Sequence, residues 1–309
     1  MALKITKASE PLTVEQLVVC IYGPPGLGKT TLGFSARKPL VLDFDRGAHR
    51  AAGRKDSVQV AAWADVTNIT AEDLAPYQTV VVDTAGRALD VLTADIIRRN
   101  PKMGRGGALT LQGYGQLKSE FTAWLKHLMT MGKDVVLIAH SSEDKNGDEL
   151  IERIDMQGGS KGEVYKVADA MGRLTMVHGN KWPVLNFSPS DAAFGKNPAQ
   201  LPPLQVPDIS TEPEFLGNVI EQIKAKLNEL TDAQREAQEW MNGWREKVNN
   251  ADSAEAYTDL IAESQAAPEQ FQANAKRILM QAAKKAGYTF DKASGAFVDS
   301  EPEKKAAHA

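Results

Sequence analysis

Residues Gly23–Thr30 read GPPGLGKT. They follow the apolar run QLVVCIY (Gln16–Tyr22) and open the helix-compatible stretch KTTLGFSAR (Lys29–Arg37). The string fits G-x-x-x-x-G-K-[ST] in the strand–turn–helix setting that this motif requires. Gly23, Gly26 and Gly28 let the backbone curl so that its N–H groups point inward, with Pro24, Pro25 and Leu27 between them. Those donors, together with the helix start, form a cradle for a β-phosphate. Lys29 is placed to reach the β- and γ-oxygens, Thr30 to offer a hydroxyl to Mg²⁺, and Thr31 to lie nearer the α-phosphate.

Further strands follow at βαβ spacing. PLVLDFD (Pro39–Asp45), TVVVDTAG (Thr79–Gly86) and DVVLIAHS (Asp134–Ser141) each run apolar and end polar. Residues 172–190 suggest a hairpin turning at His178–Lys181. Between the strands lie helical stretches at Arg87–Arg98 and Gly115–Met131. In the second, Leu117, Phe121, Trp124, Leu125 and Leu128 recur at helical spacing and read as core. Alternating strands and helices predict an α/β fold, a mostly parallel sheet flanked by helices, with ligands at the carboxyl ends of its strands. The polar strand ends then acquire roles. Asp83 is the acid that supports Mg²⁺. Asp45, in preference to Asp43, orients the attacking water, and His140 senses the γ-phosphate.

The totals set bounds. The 309 residues carry a net charge of -4, split unevenly between 24 Lys/Arg against 22 Asp/Glu in residues 1–206 and 12 against 18 in 207–309. That balance excludes a general polyanion binder, so any nucleic-acid contact must be local. Cys20, the single cysteine, lies in an apolar run and reads as packing. The segment holding Lys4 and Lys7 has no apolar core, and no run reaches spanning length, so a soluble, cytoplasmic protein without a membrane partner is expected.

DTAGR (Asp83–Arg87) resembles a string of signal-recognition-type GTPases, but the later strand LIAHSSEDKNGD lacks a guanine-reading [NT]-K-x-D tetrapeptide. The stronger resemblance is to RecA-like P-loop ATPases. VLDFDRGAHR (Val41–Arg50) resembles their acid-ended second strand, with Asp at 45 where they have Glu. LIAHS resembles their sensing strand end. FGKNP (Phe194–Pro198) resembles the finger they insert into a neighbour's site, with Lys196 as the finger. The order of these motifs over residues 14–205 most resembles phage-encoded, minimal RecA-like proteins of the Sak type, which are single-strand annealing or recombination proteins. The resemblance implies ATP with Mg²⁺ as cofactors, DNA-stimulated ATP hydrolysis, and a homo-oligomer, ring or filament. Its implied partners are single-stranded DNA and a single-strand-binding protein. The alternatives are a signal-recognition-type GTPase and an ATP-gated assembly or loader protein with little turnover.

In such proteins two loops hold DNA. The corresponding segments are residues 98–113, with Arg98, Arg99, Lys102 and Arg105 and no acid, and residues 141–162, of which the Gln157–Lys161 end, with Lys161, suits phosphate. Four prolines in residues 197–207 end the predicted core, 1–206. Four helices are expected in 207–287 (212–230, 231–249, 253–266 and 268–286), capped at Thr231-Asp232 and Asp252-Ser253. Trp240, Trp244, Tyr257, Leu260, Ile261, Phe271, Ile278 and Leu279 would form their small core, and residues 288–309 a disordered tail.

Overall fold

The computed structural model describes residues 13–146 and 149–300. The segment with Lys4 and Lys7 and the last residues, 301–309, lie outside the described residues, as does Asp148 of the second candidate loop. The chain divides into two compact units, Thr13–Asn228 and the unit that begins at Glu229.

The first unit is built on a mixed, mostly parallel sheet. Its strands are β1 (Val18–Gly23), β2 (Pro39–Asp43), β3 (Ser57–Gln59), β4 (Thr79–Asp83), β7 (Asp134–Asn146), β8 (Glu149–Ile154), β9 (Ala170–Thr175), β10 (Val184–Asn186) and β11 (Leu204–Gln205). A separate small hairpin, β5 (Gly104–Arg105) and β6 (Ala108–Leu109), interrupts the first candidate loop. The strand order is β11-β10-β9-β1-β7-β4-β2-β3, with β8 paired to β7. From β9 to β3 every pair is parallel, while β9–β10, β10–β11 and β7–β8 are antiparallel. This is the predicted α/β arrangement, a mostly parallel sheet flanked by helices, with the phosphate loop between β1 and the helix that follows it. β7 lies between the phosphate-loop strand and the Asp83 strand, pairing Gly23 with His140 on one side and Asp83 with Ile138 on the other.

The strands read as continuous apolar runs because both faces are covered. Val18, Cys20 and Tyr22 face one cluster with Val80, Val82, Leu137 and Ala139. Leu17, Val19 and Ile21 face the other with Val81, Val136 and Ile138. Helices α2 (Ala64–Thr67), α3 (Ala85–Arg99) and α4 (Leu111–Met129) supply buried residues to the first cluster, as does α5 (Ser160–Val167). Helix α1 (Lys29–Phe34) and the start of α6 (Phe215–Asn250) cover the second. Cys20 is fully buried, and burial pushes its thiol up to about 12, the behaviour of a packing residue. At the base of the sheet, Asp134 accepts from Leu17 N (2.9 Å) and from Lys224 Nζ of α6 (2.7 Å). No helix among the described residues is long and apolar enough to cross a membrane.

Several expectations are corrected. The core does not end at residue 206: Leu216, Val219, Ile220 and Ile223 of α6 are buried in its second cluster, so the boundary falls at 228/229. The two helices expected over 212–249 are one, α6, running unbroken through the expected cap at Thr231-Asp232. The second candidate loop is largely the β7–β8 hairpin followed by α5; its many acids hid the strand pairing.

In the second unit α7 (Ala254–Ala266) starts at Ser253, whose side chain accepts from Ala256 N as a helix cap. With α8 (Glu269–Lys285) and the end of α6, it encloses Trp244, Val248, Tyr257 and Leu279, and Trp240 stacks on both Trp244 and Phe271. Residues 288–299 are not a disordered tail but a hairpin, β12 (Tyr288–Asp291) and β13 (Ala296–Asp299). Phe297 is buried against Tyr257, which supplies the apolar contact that composition alone did not reveal.

Candidate active site

The phosphate loop closes tightly onto the sheet. A Cβ at Gly23 would lie 2.3 Å from the Leu174 carbonyl oxygen, so only glycine fits, and Gly28 holds φ +77° as the last residue before α1. Lys29 is 6% exposed, and its Nζ donates to the carbonyls of Gly23 (2.8 Å) and Pro24 (2.7 Å). These bonds orient the ammonium across the mouth of the loop. Burial pushes Lys29 down to about 8, against the pull of Asp83 and Asp45.

A cavity of about 450 Å³ opens over this loop. Its lining brings Pro25, Gly26, Gly28, Lys29, Thr30 and Thr31 together with Asp45, Asp83 and His140 from three other segments. Asp83 ends β4, is 2% exposed, and is pushed up to about 6 by burial. The Thr30 hydrogen bond and Lys29 oppose that shift, while Asp43 and Asp45 add to it. Asp83 Oδ2 is buried without a hydrogen-bond partner. A carboxylate oxygen left unpaired beside a threonine hydroxyl fits Mg²⁺, which takes few protein oxygens and completes its shell with phosphate and water. Among the described residues no group of three or more His, Cys, Asp and Glu could enclose a metal, so the protein side alone offers no closed cage.

The two acids of the second strand have separate tasks. β2 stops at Asp43, whose Oδ1 and Oδ2 accept from Gly47 N (2.9 Å) and Ala48 N (3.0 Å). Asp43 therefore holds the turn that carries Asp45. Asp45 lies past the strand end and lines the cavity, with Arg87 Nε 3.4 Å from its Oδ1. Sequence reasoning missed three residues here. Arg50 and Thr84 line the cavity, and Arg87 tethers Asp45. The available signal was the placement of Arg50 and Arg87 inside the two motifs already singled out.

His140 is half-buried, and its Nδ1 has no hydrogen-bond partner. Burial, then the Lys29 charge, holds its pKa below the usual histidine value, which favours the neutral ring. It lines both the phosphate cavity and an adjoining one of about 200 Å³, which it shares with Asp155 and Gln157 at the start of the second candidate loop's helical end. Gln157 Nε2 donates to Asp90 Oδ1 at 2.6 Å.

Lys196 is not among the residues lining the phosphate cavity. Its Nζ donates to Ala168 O (2.7 Å), and its backbone bridges to Met171. The basic loop is also less free than its sequence suggested. Arg98 and Arg99 pair with Asp95 one helical turn back, and Arg99 also pairs with Glu120 of α4. Lys102 and Arg105 are exposed on the β5–β6 hairpin segment, while Lys161 is half-buried in the first turn of α5. The helical end of the second candidate loop packs on α4, just past the end of the first. A Cβ at Gly158 would come within 3.3 Å of the Tyr114 ring, and one at Gly159 within 3.2 Å of Lys118 Cδ. Tyr114 is partly exposed and Leu111 almost wholly so, which supplies the apolar and aromatic surface that spacing did not reveal.

This chain belongs to the AAA_24 family, described as an AAA domain, whose model matches residues 15–199. It is thus a member of an AAA-type P-loop ATPase family. It is 30% identical over 147 residues to the SPbeta prophage-derived uncharacterized protein YorG of Bacillus subtilis (strain 168). That match covers 43% of this chain and 44% of the relative, so the chain spans less than half the length of the curated relative it matches. Among solved structures it is similar to the KaiC-like protein PH0186 from Pyrococcus horikoshii OT3, at 12% identity, 56% of this chain, 77% of that chain and a TM-score of 0.32. It is also similar to an ATPase from the type III secretion system of pathogenic bacteria, at 13% identity, 52% of this chain, 51% of that chain and a TM-score of 0.35.

Proposed function

We propose that the protein binds and hydrolyses ATP and uses that cycle to act on single-stranded DNA, as a homo-oligomer in the cytoplasm of a phage-infected host, in annealing or recombination. The observation that carries the nucleotide reading is the buried, unpaired Asp83 Oδ2 beside Thr30 and Lys29 in one cavity. Lys29 holds the β- and γ-phosphates and Thr31 lies beside the α-phosphate. Thr30 and Asp83 hold Mg²⁺, which neutralises phosphate charge when bound. Asp45 takes a proton from water as its oxygen attacks the γ-phosphorus; the bond to the β-γ bridging oxygen breaks and ADP leaves. His140 donates or accepts at the γ-phosphate edge. Lys196 of one subunit acts across an interface at a neighbour's site, and for that its side chain must leave Ala168.

For DNA, support comes from exposed Lys102 and Arg105, the nearby Tyr114, and the adjacency of the second loop to His140. Arg98, Arg99 and Lys161 would join only by exchanging their present neighbours for phosphate. A prophage-derived relative favours a phage setting, and a single-strand-binding protein is a proposed further partner. The test is the ATP hydrolysis rate with and without single-stranded DNA, with electron microscopy of the ATP-analogue complex in both states. Stimulation and a DNA-dependent assembly support the proposal. Turnover unchanged by DNA, with assembly driven by ATP alone, would instead support the loader reading.

A further inference from the structure

The cavity of about 200 Å³ adjoins the phosphate cavity at Thr84 and His140, which line both. Arg87, Asp90 and Gln157 line this smaller cavity and not the larger one. They form a chain that ends on Asp45. Gln157 Nε2 donates to Asp90 Oδ1 (2.6 Å), Arg87 Nη1 donates to Asp90 Oδ2 (2.9 Å), and Arg87 Nε lies 3.4 Å from Asp45 Oδ1. The backbones that carry the chain are fixed. Arg87 and Asp90 stand one turn apart on α3, whose start is capped by Thr84. Gln157 follows Met156, which is buried in the first core cluster, and Asp155, whose N–H donates to His140 O (2.8 Å). The two segments pack closely at Gly86, where a Cβ would lie 3.1 Å from the Asp155 carbonyl oxygen.

Asp43 fixes the backbone of the turn after β2, but the direction of the Asp45 carboxylate is left to its ion pair with Arg87. We infer that Arg87 and Asp90 are positioning residues for hydrolysis, aiming Asp45 into the phosphate cavity without touching the nucleotide, with Gln157 as their anchor. The inference rests on the proposed role of Asp45 and extends it to three residues outside that cavity. Arginine suits the task because its planar fork offers Nε to one carboxylate and Nη1 to the other at the same time. Lysine carries one nitrogen on a flexible stem and fixes no such angle. The Arg87 and Asp45 side chains are 60% and 32% exposed, so water screens their attraction and the pair adds little stability. What it supplies is orientation, and rate falls steeply when a reacting group is misplaced.

The experiment measures kcat and KM for ATP hydrolysis, and ATP affinity at equilibrium, in the full-length protein with Mg²⁺, with and without single-stranded DNA. Arg87→Ala is expected to lower kcat about tenfold, inside the loss expected on removing the Asp45 carboxylate itself, and to leave ATP affinity within twofold. Arg87→Lys keeps the charge but not the fork and is expected to lose nearly as much. Asp90→Ala is expected to lower kcat about fivefold and Gln157→Ala about threefold, the effect fading with distance along the chain. In an Asp45→Asn background, Arg87→Ala is expected to cost less than twofold more, because its effect passes through the missing carboxylate. Both Arg87 variants are expected to melt with the parent, since the pair is exposed. Parental kcat in either Arg87 variant, a loss of ATP affinity parallel to the loss of rate, full additivity with Asp45→Asn, or a folding defect in both Arg87 variants would each overturn the positioning role. A parent protein that hydrolyses no ATP in either condition would instead remove the hydrolysis reading beneath it.

Discussion

Replacing Asp83 with asparagine should stabilise the free protein while abolishing hydrolysis. Asp83 is 2% exposed, its Oδ2 has no hydrogen-bond partner, and it is pushed from 3.8 to about 6. A raised carboxyl pKa means that the folded state holds its proton more tightly than the unfolded state. Stability is therefore fullest below about pH 4 and declines as pH rises to about 6. Above that, the buried charge costs about 3 kcal/mol at ~1.4 kcal/mol per pH unit. The amide introduced by Asp83→Asn carries no such charge. Part of the gain is lost because Lys29, itself buried, no longer has Asp83 to oppose its own desolvation. The net expectation is about 2 kcal/mol at pH 8, or a rise in Tm of about 6 °C for a unit of this size, measured by thermal melts without nucleotide or Mg²⁺. At pH 4 the two proteins should melt within about 1 °C of each other. An Asp83→Asn variant that is less stable than the parent at pH 8, or a difference that does not change with pH, would refute the reasoning that this carboxylate is buried with one oxygen unpartnered at a cost to the free protein.

Further outcomes follow from the same geometry. The pH profile of kcat/KM for ATP should be bell-shaped, with its acid limb near 6 as Asp83 takes a proton and loses its ligand charge, and its alkaline limb near 8 as Lys29 loses its proton. Asp45→Asn should lower kcat about a hundredfold and leave ATP affinity within threefold, in steady-state and equilibrium-binding assays, because in its proposed role the group acts on water rather than on the phosphates. Lys102→Ala with Arg105→Ala should weaken single-stranded DNA binding and flatten its log affinity against log salt by about 1.4, for two lost phosphate contacts at ~0.7 each. Lys224→Ala should destabilise the core by about 3 kcal/mol in urea unfolding, because Asp134 is left buried without its partner.

Much of the nucleotide site was legible because its chemistry is local. The phosphate loop needs glycines, a lysine and a threonine within eight consecutive residues, and only a strand before it and a helix after it. Asp83 could be found because it ends both an apolar run and its strand, and His140 because it ends the apolar run of β7 level with Gly23, although that strand itself continues to Asn146. Asp43 and Asp45 could not be divided by spacing alone. That Asp43 caps Gly47 and Ala48 depends on where β2 stops. The charge of residues 98–113 misled because Asp95 and Glu120 come from the preceding turn and from another helix. The acids of residues 141–162 concealed a hairpin, since strand pairing satisfies backbone groups whatever the side chains carry.

The amino-acid order by itself determined the fold class, the phosphate cradle and the acids and histidine that face it, because these depend on apolar runs, on a backbone that only glycine permits, and on polar strand ends. The tertiary structure alone decided which strand lies between the cradle and Asp83, where the core ends, which cations of the basic loop are held by acids, and which side chains connect Asp45 to Gln157. Those features are contacts between segments far apart in the chain, where α6 meets the sheet, Glu120 meets Arg99 and Gln157 meets Asp90. Their partners are chosen by packing and burial rather than by any pattern along the sequence.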